Sequence, residues 1–190
     1  MSLIREAQTI AEELLADPLP RRWAHVQSVG AQANDIGRRL LEADDVEIVA
    51  AAGWLHDIGY TPTLAETGFH PLDGARWLRQ QGFPEPVVDL VAHHTCAVRE
   101  ARLRGLETEL REEFPGGLEP SMSRDVVWYA DLTTGPDGRR LTVRARLSEI
   151  RERYGPEHLV TRFINSAEAD LLKSTDRVDQ LLSRYTARFS

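Results

Sequence analysis

The segment Val46 to Asp57, VEIVAAAGWLHD, is apolar almost all the way round a helical wheel and closes on a His-Asp pair. A helix on the surface of a globular protein keeps a polar face, so one that is apolar on every side belongs at the centre of a helical assembly. Two polar groups ending such a helix are the first sign of a buried functional site. Upstream, Asp44 followed three residues later by Glu47 matches a capping box. Downstream, Gly59 offers a left-handed stop.

Outward from this segment the patterning stays helical. Residues Leu3 to Leu15 carry apolar side chains at helical spacing and stop at Asp17-Pro18. Pro20 opens a second helix with the stripe Trp23, Val26, Ala33, Ile36 and Leu40. A loop over residues 60–69 leads to a fourth helix, from His70-Pro71 to about Gln81. Pro84 and Pro86 start a fifth, with Val87, Leu90, Val91 and His94 at i, i+3, i+4 and i+7. The charged stretch 99–120 reads as a short exposed helix and then a mobile loop. Ser123 precedes a sixth helix, DVVWYADL, broken by residues 133–138. Two or three helices follow from Thr142, interrupted at Gly155-Pro156. Alternating strand patterns and internal repeats are missing, so the expected fold is all-α: one bundle spanning 1–190, with a motif-bearing part over about 20–135 and C-terminal helices over about 142–188.

Composition narrows the function. Of 190 residues, 42% are hydrophobic and 28% charged, ordinary for a soluble globular chain. No run approaches the ~20 apolar residues of a membrane helix. The N-terminus reads as an amphipathic helix and not as a signal peptide, which makes the cytoplasm the default location. Cys96 is alone, which excludes an internal disulfide and a cysteine-rich zinc site. A net charge of −7 argues against broad nucleic-acid binding. All the basic residues but Lys173 are arginine, a bias that carries little functional weight.

The histidines and certain acids stand where polar groups are costly. His56-Asp57 closes the buried helix, His25 lies in line with Val29 and Ile36, and Asp131 follows Val127 and Trp128 on an apolar face. Burying an ionised carboxylate and several imidazoles without compensation costs several kcal/mol or more, a cost that a bound cation reverses. Imidazole and carboxylate together suit Fe, Mn, Ni, Co or Zn. Ala52 and Gly53, one turn before the pair, leave room for close approach. His70 and His94, with Asp57 bridging, could complete a second ion. The other reading is a set of buried polar residues bonding one another, with His70 at a solvent-facing helix start.

The order His25, His56-Asp57, Asp131, with the segment LHDIG at 55–59, resembles the HD-domain superfamily of metal-dependent phosphohydrolases. The additional His70 and His94 are similar to its two-metal branches, which include hydrolases of symmetric diadenosine tetraphosphate and cyclic-di-GMP phosphodiesterases. Two features differ: Tyr60 stands where the diadenosine type carries a basic residue, and the Gly-Tyr-Pro loop of the cyclic-di-GMP type is missing. The resemblance implies a helical bundle around one metal centre, with one or two divalent transition ions. It further implies hydrolysis of a phosphoester or phosphoanhydride, in a nucleotide, by metal-activated hydroxide. Asp57 would then bridge the ions and His93, turned about 100° from His94, would donate a proton to the leaving oxygen. Arg22, three residues before His25, could pair with a phosphate or form a surface ion pair. Thr134 and Arg139, with Thr133, could lip the pocket or belong to a solvated loop. A di-iron oxygenase on the same scaffold and a non-catalytic nucleotide sensor are the competing readings. The expected partner is a small phosphorylated substrate, and the apolar content is compatible with a homodimer.

Overall fold

A computed structural model describes residues 2–189 and is all-helical. The helices are α1 (Leu3–Leu15), α2 (Pro20–Leu40), α3 (Ala43–Leu55), α4 (His70–Gln80), α5 (Glu85–Ala92), α6 (Ala97–Arg104), α7 (Glu107–Glu113), α8 (Met122–Leu132), α9 (Val143–Tyr154) and α10 (Leu159–Phe189). Among the described residues there is no strand, only an isolated antiparallel bridge between Thr134 and Arg140. None of these helices is long and apolar enough to cross a membrane.

The apolar segment sits where its patterning places it. Helix α3 packs against α1, α2, α5 and α8, and Val49, Ala50, Ala51, Ala52 and Leu55 are fully buried. Burial of one side chain the size of Leu55 stabilises by roughly 1.5–3 kcal/mol. Small residues let α2 and α3 cross closely: a Cβ on Gly53 would lie 3.0 Å from the Gly30 Cα, and one on Gly30 would run into the Trp54 ring at 2.4 Å. A second core joins α8, α9 and α10 through Trp128, Leu132, Leu147, Phe163 and Ile164.

Several local features depart from the sequence reading. Asp44 and Glu47 form no capping box, because α3 begins earlier, at a cap position occupied by Glu42 that makes no side-chain cap hydrogen bond. Gly59 does not adopt a left-handed conformation. It lies in a 3-10 turn, Ile58–Tyr60, pressed so tightly on α4 that a Cβ would meet the His70 carbonyl at 2.1 Å and the Gly74 nitrogen at 2.7 Å. Helix α8 is capped by Ser121, which accepts from the Arg124 amide at 3.1 Å, and not by Ser123.

The stretch 99–120 forms α6, α7 and a 3-10 turn at Pro115–Leu118 in place of a mobile loop. Leu106, Leu110 and Phe114 supply a sparse i, i+4, i+8 stripe, of which Leu110 and Phe114 are fully buried. The charges around it are paired: Arg76 bonds Glu109 and Glu113, and Arg79 donates to the Glu113 carbonyl at 2.8 Å while lying over the Phe114 ring.

Gly59→Ala should destabilise the protein by about 1–3 kcal/mol, because both nearest obstacles are backbone atoms. Urea unfolding of the chelator-treated protein checks this, and a variant as stable as the parent would refute the close contact.

Candidate metal centre

Four of the five elements that carry the site do so at their ends. His56 is the C-cap of α3, His70 opens α4, and Asp131 is the penultimate residue of α8. His94 lies in a 3-10 turn after α5, which stops at Ala92 and so falls short of the histidines that its apolar line extends to. His25 alone projects from mid-helix, in α2.

These residues converge into two adjoining groups. Donor atoms of His25, His56 and Asp131 all lie within 4.8 Å of one another, as do those of Asp57, His70 and His94. Asp57 stands between them. Its Oδ2 is 3.4 Å from His56 Nε2 and 3.8 Å from His25 Nε2. Its Oδ1 is 3.3 Å from His70 Nε2 and 3.9 Å from His94 Nε2. His25, His56, Asp57 and His94 are each under 5% exposed.

Backbone carbonyls set the imidazole tautomers. A carbonyl can only accept, so the Nδ1–H of His25 donates to Gly135 (2.9 Å), that of His56 to Gly53 (2.9 Å) and that of His94 to Val91 (2.7 Å). All three therefore turn Nε2 inward, and His56 Nε2 is buried with no hydrogen-bond partner. Such Nδ1–H bonds to carbonyls are what orients metal-ligating histidines. A buried, unpartnered imidazole nitrogen facing two carboxylates fits a divalent cation, and the mixed N/O donor set suits a transition ion more than Mg or Ca.

Electrostatics agree with the geometry. Burial alone would raise the Asp57 carboxyl, but the Arg22 guanidinium and His56 hold it well below the usual carboxylate range. Burial likewise opposes ionisation of Asp131, and the His25 hydrogen bond and the charge of His56 outweigh it. Burial would lower His56, yet Asp57 and Asp131 pull it above its ordinary value. Burial, reinforced by His70 and His56, pushes His94 down to about 3 and keeps it neutral.

Arg22 joins this centre. It donates to Asp57 Oδ2 at 2.6 Å and lies 4.0 Å over the Tyr60 ring, which also stacks on His70 with ring centroids 3.8 Å apart. Three expected site residues do not reach it. His93, read as the proton donor, leaves helical geometry at φ −114° and directs its Nε2–H to the Phe114 carbonyl at 2.6 Å; burial lowers its pKa. Thr134 is fully buried, with its hydroxyl committed to the Ala130 carbonyl at 2.7 Å. Arg139 is 83% exposed and pairs with Asp137.

The cleft over the centre has a volume of about 80 Å³ and holds groups that the motif reading missed. Thr95 donates to Asp131 Oδ2. Arg146, Arg153, Tyr154 and Phe163 form a wall from α9 and α10. Arg146 had a legible signal: with Val143, Leu147 and Ile150 it completes an i, i+3, i+4, i+7 stripe, an arginine on an otherwise apolar face.

A family model described as HD domain matches residues 22–151. No curated protein and no solved structure matches the chain significantly.

Adding Mn, Fe, Co, Ni or Zn to the stripped protein should raise its melting temperature, with about 2.7 kcal/mol of added stability at a free metal concentration a hundred times Kd. His56→Ala and Asp57→Ala should lose most of the metal measured by elemental analysis. Parental metal content in both variants would rule the centre out.

Proposed function

Since the chain belongs to the HD-domain family, a superfamily of metal-dependent phosphohydrolases, we propose that it hydrolyses a phosphoester or phosphoanhydride bond, with a nucleotide as the substrate class. The observation that carries this reading is Asp57, whose two oxygens face two separate groups of imidazole nitrogens. His25, His56 and Asp131 would hold one ion, and His70, His94 and Asp57 a second. Divalent ions there would lower the pKa of a coordinated water towards ~7 and offset negative charge on a phosphoryl group.

The protein's own side chains supply the rest. Arg22 is held in the cleft by Asp57 and Tyr60, where its planar guanidinium can meet a phosphate in bidentate fashion. Arg146, 5% exposed, bonds Glu149 at 2.5 Å and keeps a buried Nε without a partner. That leaves it a donor for a second phosphate oxygen. Val160, Phe163 and Ile164 line the same cleft and exclude water, which strengthens charge interactions inside it. About 80 Å³ is far below the ~300 Å³ or more that encloses a drug-sized ligand. The cleft therefore admits a phosphate group, and a nucleotide would enter phosphate first.

The metal-loaded chain should release phosphate from at least one of a panel of mononucleotides, dinucleoside polyphosphates, cyclic nucleotides and artificial phosphoesters. Asp57→Ala should abolish that turnover. Arg22→Ala should lower kcat/KM by about 100-fold, in line with loss of a preorganised charge-stabilising donor, while leaving bound metal in place. No turnover on any substrate, or turnover indifferent to Asp57→Ala, would overturn the proposal. Oxygen consumption by the iron-loaded protein without phosphate release would move it to the oxygenase reading.

A further inference from the structure

In a chain of formal net charge −7, one cavity apart from the metal centre is strongly cationic. It measures about 380 Å³ and opens between α6, α7, α8 and α10. Arg99 and Arg102 reach it from α6, Arg111 from α7, Arg124 from α8, and Lys173 and Arg177 from α10.

Neighbouring carboxylates leave this charge partly uncompensated. Arg102 and Arg111 share Glu107, at 2.6 and 3.0 Å. Arg124 and Arg177 share Asp125, at 3.4 and 2.6 Å. Arg99 takes Asp170. Among the described residues Lys173, the chain's one lysine, has no ion-pair partner. Six cations thus face three carboxylates.

Arg124 is also held with a donor to spare. Its guanidinium lies 4.5 Å over the Trp128 ring, and Trp128 is itself fixed by its Nε1–H bond to the His93 carbonyl at 3.1 Å. The Arg124 Nε is buried without a hydrogen-bond partner. A buried donor of this kind is ordinarily satisfied in a native protein, by a ligand where no side chain does so.

We propose that this cavity is a second ligand site, taking a small molecule that carries two or more phosphate groups. Cations spread over four helices match several linked phosphates better than one, and guanidinium forks suit phosphate oxygens. The volume falls within the range of small-molecule pockets. Val98, Leu118 and Trp128 add an apolar wall. The site also touches the metal centre's frame. His93 and Cys96 line it, and they flank His94 and Thr95, with Thr95 and Cys96 both left-handed at φ 46° and 63°.

The test is calorimetric titration of inorganic triphosphate into the full chain, stripped of metal and kept in chelator so that the metal centre does not contribute. Saturable binding is expected, weakening as salt is raised. Lys173→Glu and Arg111→Glu, two exposed positions, should each weaken it by about tenfold or more with an unchanged melting temperature. Arg22→Ala, in the metal cleft, should bind as the parent does. Orthophosphate should bind at least tenfold more weakly than triphosphate. A nucleoside triphosphate run in parallel separates the sources: tighter binding assigns the nucleoside to the apolar wall, and equal binding assigns the phosphate chain alone. No saturation at millimolar triphosphate, binding indifferent to both charge reversals, or binding lost in Arg22→Ala instead would overturn the proposal.

Discussion

Two carboxylates and several imidazoles occupy the middle of an otherwise apolar bundle, and neither kind of group can leave water there without compensation. Asp57 and Asp131 are held ionised by Arg22, His25 and His56, while His94 stays neutral. Much of the surrounding architecture follows from keeping these groups close and oriented. The tight crossing of α2 and α3 at Gly30 and Gly53 brings His25 and His56 to ring centroids 5.3 Å apart. The contact of Gly59 with α4 brings His70 up to Asp57.

The centre is built mostly where helices stop. A helix end frees carbonyls from the i to i+4 ladder, and the centre uses such groups: Val91 near the end of α5 anchors His94, and Gly53 near the end of α3 anchors His56. Gly135, in the turn after α8, does the same for His25. The left-handed Thr95 and Cys96 are conformations that non-glycine residues adopt only when their surroundings impose them. Here they turn the chain so that His94 and the Thr95 hydroxyl both face the acids. Helices α9 and α10 then roof the cleft and bring arginine to it.

Much of this was legible. The all-round apolar character of residues 46–55 placed α3 at the centre, and polar residues at the ends or edges of apolar stripes marked the six that converge. Signals with two structural outcomes were less informative. A glycine after a helix serves a left-handed turn or a close approach, and Gly59 serves the second. Adjacent histidines look alike in sequence, yet His94 turns into the centre and His93 to the Phe114 carbonyl, because the backbone leaves helical geometry between them.

Local periodicity and the cost of burying charge determined an all-helical fold with a polar centre, since both are properties of short segments, while the choice of His25, His56, Asp57, His70, His94 and Asp131 as a ligand set rested also on their resemblance in order to the HD domain. Only the tertiary structure decided that Asp57 stands between two groups, that Thr134 and Arg139 lie outside the cleft, and that Arg153 enters it. Those outcomes depend on how helices far apart in the chain pack on one another, and no spacing within a single helix encodes that. The cationic cavity has the same origin, for its six charges are scattered from residue 99 to residue 177 and meet only where four helices converge.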